Sequence, residues 1–237
     1  MTYLLLPTTD VRRLSFYLAM EEYAARTFKK REVFFMWQVE PSVIFGRNQV
    51  AGNEVNIEFC RSHGIQVYRR KSGGGCVYAD MDNLMLSYIS DGDNVNFTYN
   101  KFMNMILLVL RKLGIQAVTT AHNDVMIGDR KVCGTAFYQL PGRSIVHSTM
   151  LYDTNMEYML NAITPSQAKL QRKGIESVRQ RITLLKDHTS LTLEQIKTFI
   201  REILCEDERI LTADEVVAIE QLEQTYMNKD FINLLQQ

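Results

Sequence analysis

The apolar positions of this chain follow two periods. Between Asp10 and Thr27 they recur at helical spacing, with Leu14, Tyr17, Leu18 and Tyr23 on one face. That predicts a helix over Val11 to Thr27 with Asp10 as its N-cap. Val33 to Trp37 and Ser42 to Phe45 are short apolar runs and predict two strands turned by Glu40-Pro41. A short helix near Glu54 to His63 should end at Gly64, a C′ glycine. Ile65 to Tyr68 alternates as a strand, and Cys76-Val77-Tyr78 and Leu84 to Ile89 predict two more. Tyr99 to Leu113 is a second clear helix, closed by Gly114. Val125-Met126-Ile127, a Gly128-Asp129 turn and Lys131 to Tyr138 predict a hairpin, and Pro141-Gly142 turns into a strand over Ser144 to Tyr152. From Asn155 the pattern is mostly helical. Ser190 and Thr192 are candidate caps for a helix from Leu193 to Cys205, and Asp214 for a last helix toward Leu234.

This order predicts an α+β fold, with a mixed, largely antiparallel β-sheet core flanked by helices. It reads as a single domain over residues 1–237, helical from about residue 186 onward. The βαβ alternation of a doubly wound fold is missing. Composition fits a packed core, at 46% hydrophobic and 23% charged residues. Lys+Arg and Asp+Glu both number 27, so the basic excess of a general nucleic-acid binder is absent. No apolar window is long enough to cross a membrane, and the N-terminus lacks the basic start of a signal peptide. The four cysteines are widely separated, with no CxxC pair or His/Cys cluster. That argues against zinc and for reduced thiols in a cytoplasmic protein.

The candidate chemistry centres on Arg69-Arg70-Lys71-Ser72-Gly73-Gly74-Gly75-Cys76-Val77-Tyr78. Each glycine costs roughly 0.5–1 kcal/mol relative to alanine in regular structure, so such a run marks positive φ or a close approach. Exposed N–H groups beside cations suit an anionic ligand. The run is neither GxGxxG nor a Walker A loop, so any nucleotide needs a different cradle. Gly46-Arg47-Asn48-Gln49 follows an apolar strand and by itself reads as a surface loop. In the hairpin from Asn123 to Ala136, Lys131 opens the return strand, and Gly134 and Ala136 leave one face of it bare. A bare strand face admits a ligand or another backbone. His147-Ser148-Thr149 adds a histidine on a strand, without a visible serine–histidine–acid pattern or paired carboxylates.

In this order the segments resemble the lipoate–protein ligase A family of the biotin/lipoate ligase superfamily, over roughly Trp37 to Leu185. Arg69 to Asp80 followed by Asn83 is similar to the family's RRxSGGGAVYHDxGN signature. Asn123-Asp124 with Gly128 to Ala136 is similar to its ND…xxKxSGxA hairpin. His147 to Leu151 resembles HGTLL, and Lys173 to Thr183 resembles KGIxSVRxRV. The resemblance implies a class II biotin/lipoate-ligase-like fold. It implies activation of lipoate with ATP and Mg2+ to lipoyl-AMP, then transfer to one lysine of a lipoyl-carrier domain, a glycine-cleavage H protein or a 2-oxoacid dehydrogenase E2 subunit. Lys131 would be catalytic, binding carboxyl and phosphoryl oxygens. Arg70 would face the carboxylate or phosphate. Gly73, Gly74 and Gly75 would pack over the lipoyl tail and adenylate. Asn123 and Asp124 would hold the adenylate, Asp124 also its metal. Ser72, Val77, Asn83, Gly134, Ala136, His147 and Thr149 would line the remainder.

Departures from the family pattern are Ala79 for histidine, Ser148 for glycine, and Cys76 and Cys133 for alanine and serine. Many relatives carry a further C-terminal domain of about a hundred residues. With Gln237 as the last residue, no separate accessory domain is expected within this chain, and a second protein is a candidate source of one. Two alternatives stay open. One is an ATP-independent lipoyl or octanoyl transferase, with Cys133 as a thioester nucleophile on the same strand face as Lys131. The other is a non-catalytic lipoate-binding relative.

Overall fold

The computed structural model describes residues 1–120, 123–164 and 181–233. Two sheets organise them. The larger has eight strands in the order β11-β1-β2-β6-β10-β9-β8-β7. These are β1 (Thr2–Leu5), β2 (Val33–Trp37), β6 (Asn83–Ile89), β7 (Val118–Thr119), β8 (Asp124–Ile127), β9 (Arg130–Leu140), β10 (Arg143–Leu151) and β11 (Asp207–Ile210). Strand β1 runs parallel to both neighbours, and the other pairings are antiparallel. The smaller sheet orders β4 (Gln66–Arg69), β3 (Ser42–Phe45) and β5 (Val77–Ala79), with β3 parallel to β4. This is the mixed, mainly antiparallel core expected from the pattern.

Strand period two gives the large sheet two faces. Phe34, Leu84, Leu86, Tyr88, Val146 and Met150 face one way. They bury against α4 (Val95–Lys112) and α6 (Leu193–Leu204) through Phe102, Ile106, Leu110, Ile196 and Ile200. On the other face Val33, Phe35, Trp37, Met85, Ile89 and Ile145 meet α1 (Leu14–Thr27) and α7 (Ala213–Met227). The small sheet packs beyond these with α2 (Ala51–Glu54), α3 (Ile57–Ser62) and α5 (Met156–Ala162) through Val43, Phe45, Cys60 and Met159. A final turn, α8 (Lys229–Ile232), follows α7.

Several boundaries differ from the sequence expectation, each for a local reason. Helix α1 begins at Leu14, and Asp10 does not cap it. Asn94 accepts from Phe97 N–H, which starts α4 four residues before Tyr99. Of the two candidate caps Thr192 is the one that starts α6, as Thr212 rather than Asp214 starts α7, both in full capping boxes with Gln195 and Glu215. Strands β2 and β3 are not a hairpin, because β2 joins the large sheet and β3 the small one. Strand β11 interrupts the helical C-terminal part. Its Asp-Glu-Arg-Ile sequence carries the charges of an edge strand, which hides it from an apolar pattern. Leu234 and the Lys173–Gln180 part of the fourth motif lie outside the described residues. No described helix is long and apolar enough to cross a membrane.

Candidate active site

Because β3 and β4 are parallel, both emit their loops at the same end. Phe45 pairs with Arg69, so Gly46 starts one loop beside Arg70 in the other. The two loops interlock. Arg47 N–H donates to the Ser72 carbonyl at 2.9 Å. A Cβ on Gly46 would lie 2.3 Å from the Gly74 carbonyl oxygen, so no side chain fits there. Gly74 stands at φ 90°, where an added Cβ would crowd Arg70 Nη2 at 3.0 Å and reach Ala136 Cβ at 3.9 Å, an ordinary contact. The weak 46–49 segment is thus the brace of the glycine loop.

The three cations ahead of the glycines are consumed by the protein itself. Arg69 is fully buried and donates to the carbonyls of Arg47, Gln49 and Ile232. Lys71 pairs with Glu22 at 2.5 Å. Arg70 is 4% exposed, and its donors reach the carbonyls of Gly73, Ile44 and Gly75. Burial brings its pKa down to about 10. Arg70 therefore does not present its guanidinium to a carboxylate or phosphate as expected. A loop of three glycines turns carbonyls inward, and buried acceptors require donors; Arg70 supplies them.

Across the loop lies the face of the large sheet. Its registers align Phe35, Ser87, His147 and Ala136 in one row. The next row holds Trp37, Met85, Thr149, Gly134 and Asp124. Gly134, Ala136, His147, Thr149 and Asp124 thus share one surface with Ser72, Gly73 and Gly74 above it. Ser72 reaches this surface, with Oγ 2.7 Å from His147 Nε2. Asn123 precedes β8 at φ 66°, and its carbonyl accepts from Thr135 N–H. Gly75 contributes its carbonyl to Arg70 and is itself exposed. Val77 is half-buried on β5. Asn83 sits at the start of β6 and bonds Thr154 at 2.7 Å, and its buried Oδ1 has no partner among the described residues.

Lys131 reaches the same surface because β9 is bulged. Val125 pairs with Cys133 but Met126 pairs with Lys131, which makes Val132 an extra residue. The bulge puts Lys131 and Cys133 on opposite faces, so the shared face expected from simple alternation is not found. Cys133 is fully buried toward α4, and burial pushes its thiol pKa up to about 11. Lys131 folds back over Gly134, where a Cβ would come within 2.4 Å of its Nζ. Asp124 Oδ1 holds that Nζ at 2.7 Å, and Asp124 Oδ2 pairs with Arg181. Both oxygens of this carboxylate are engaged by cations, so a metal there would have to compete with Lys131 and Arg181. Among the described residues, no three His, Cys, Asp or Glu side chains converge as a metal site. The metal role expected of Asp124 does not fit this arrangement.

The geometry is a bare strand floor, a glycine roof and a placed ammonium at one end. A family model describing the lipoyl protein ligase A/B catalytic domain matches residues 14–205. The chain belongs to that family. Lipoate–protein ligase 1 of Staphylococcus aureus is 36% identical over 187 residues, covering 77% of this chain and 57% of its own. The chain spans less than two thirds of the length of this and other curated relatives. A bi-partite lipoate protein ligase from Thermoplasma acidophilum, studied with its E2 lipoyl domain, matches with TM-score 0.85 at 26% identity, covering 100% of this chain and 97% of that one. A lipoate–protein ligase A bound with ATP shares the fold at TM-score 0.84 and 23% identity over 99% of each chain.

Sequence reasoning missed Glu21, read the bracing Gly46 only as part of a surface loop, and noted Arg181 only within the fourth motif, without a role. Glu21 had a readable signal, since Leu14, Leu18, Glu21 and Ala25 fall on one helical stripe. Gly134→Ala separates site from fold. The added methyl crowds the flexible end of Lys131 and reaches Asp124 Oδ1 at ordinary contact distance, so the melting temperature should stay within a few degrees, while any acyl transfer that uses the ammonium should fall about tenfold or more. Thermal melts and a transfer assay on the purified variant check both.

Proposed function

We propose that this chain joins lipoate to ATP as lipoyl-AMP and then passes the lipoyl group to one lysine of a carrier domain. The observation that carries the reading is the Lys131 ammonium, fixed by Asp124 over Gly134 at the end of a strand strip with almost no side chains. An acyl chain laid along Gly134 and Ala136, beneath Gly74, ends with its carboxyl group at Lys131. In the first step a carboxylate oxygen attacks the α-phosphorus of ATP and pyrophosphate leaves. In the second the carrier's amine attacks the acyl carbon and AMP leaves. Negative charge builds on oxygens near the acyl–phosphate bond in both steps, and a preorganised cation lowers both barriers. Arg181, on the other oxygen of Asp124, adds a second positive charge at this end. Magnesium is the usual companion of such phosphates; it would be held through the phosphates rather than by Asp124.

The carrier class follows the Thermoplasma relative, whose partner is an E2 lipoyl domain. An H protein presents the same type of lysine and is the second candidate. The cysteine-dependent transferase is the weaker reading, because Cys133 faces the apolar core under α4 and burial holds it as a thiol. Since the relatives are longer than this chain, the activation step is tested with and without an added accessory domain.

Intact mass spectrometry of a lipoyl domain, incubated with lipoate and the protein, tests the reading. The mass of one lipoyl group should appear with ATP and be absent without it. No ATP-dependent addition on either carrier, with or without an accessory domain, would refute the proposal. Lys131→Ala should slow the transfer about 10²–10³-fold, the usual loss for a deleted transition-state cation or donor. Cys133→Ser should retain at least half the wild-type rate; its loss would restore the thioester route.

A further inference from the structure

Helix α1 carries Glu21 onto the inner face of the large sheet, where its side chain is fully buried. Its Oε2 lies 2.9 Å from His147 Nδ1. Its Oε1 accepts from Ser87 Oγ at 2.5 Å. Ser87 Oγ in turn accepts from Trp37 Nε1–H at 2.8 Å. On the far side, His147 Nε2 lies 2.7 Å from Ser72 Oγ, which is also fully buried. A continuous chain of hydrogen bonds therefore joins β2, β6, α1, β10 and the glycine loop.

With a neutral His147 the donors along this chain have one arrangement. An indole N–H can only donate, so Ser87 accepts from Trp37 and turns its own proton to Glu21. A carboxylate only accepts, so His147 must carry its proton on Nδ1. That leaves Nε2 as a lone pair, and Ser72 donates to it. Glu21 is the sink that sets every direction. The connectivity is that of a serine–histidine–acid triad. Ser72, however, is buried and its proton is committed to the loop contact, so nucleophilic work is not assigned to it.

We propose that Glu21 is a positioning residue: by fixing the tautomer of His147 it lets Ser72 anchor the glycine loop to the sheet, and so sets how tightly the acyl substrate is held. Ser72 immediately precedes Gly73, and its carbonyl also accepts from Arg47 N–H. A lost Ser72–His147 bond frees the side of the loop that Arg70 does not reach. The inference rests on the proposed ligase reading only in identifying the held molecule as an acyl acid.

Glu21→Gln tests it, since glutamine keeps the volume but brings a donor. With Ser87 still donating to the amide oxygen, the amide N–H faces Nδ1 and drives the proton to Nε2, so Ser72 loses its acceptor. Nitrogen-15 spectra of histidine-labelled full chain should show His147 protonated at Nδ1 in the wild type and at Nε2 in the variant. Amide hydrogen exchange over residues 72–76 should rise about tenfold in Glu21→Gln and in Ser72→Ala, the second variant needing no change in the helix. KM for lipoate should rise by a similar factor in each, with kcat changed less than twofold, and the double variant should be no worse than the worse single one. A doubly protonated His147 in the wild type, an unchanged tautomer, unchanged loop exchange, a loss confined to kcat, or multiplying KM effects would overturn the proposal. The spectra and the exchange need no turnover. A failed ligase reading therefore leaves them standing, and a failed relay shows as unchanged signals in an active enzyme.

Discussion

The site depends on two loops whose backbones pass closer than a side chain at Gly46 would permit. The loop after β4 descends onto β9, with Gly74 above Ala136 and Gly46 against the Gly74 carbonyl. Such an approach is possible because glycine occupies one side and small residues the other. The parallel pairing of β3 and β4 brings both glycine-bearing loops to one end. The alternation of β9 and β10 then presents Gly134, Ala136, His147 and Thr149 to that end. Fold and site are linked by register: a one-residue slip of β9 would turn the bare face toward α4 and the bulky face toward the loop.

Charge is used sparingly in this arrangement. Arg69, Arg70 and Lys71 form the most basic run near the site, yet each is engaged internally. Buried carbonyls and a buried carboxylate need those donors more than a ligand does. Lys131, at the bulged start of β9, and Arg181 are both tied to Asp124. The bulge at Val132 is what separates Lys131 from the buried Cys133. It gives neighbouring residues opposite fates, one reaching over Gly134 and one filling the core.

Most of the architecture was legible in the sequence. The glycine run, the bare hairpin strand and the histidine strand do meet on one surface, as their order suggested. What the sequence concealed was direction. Nothing in Arg70 itself says whether it points to a ligand or back to its own loop. Alternation placed Lys131 and Cys133 together, and a single extra residue separated them. Strand β11 was hidden by its charges, and the pairing of β2 and β3 by the absence of any local mark of which sheet a strand joins. Glu21 was readable as a carboxylate on an apolar stripe, although its partners, Ser87 and His147, are remote in sequence.

The central claim is that the strip under the glycine loop is the floor of an acyl channel. Calorimetric titration of lipoate into an Ala136→Leu variant, checked for an unchanged melting transition, tests it most directly. The account predicts binding weakened at least tenfold, because the leucine projects from the strand into the proposed path of the acyl chain. Wild-type affinity in a folded variant would contradict it.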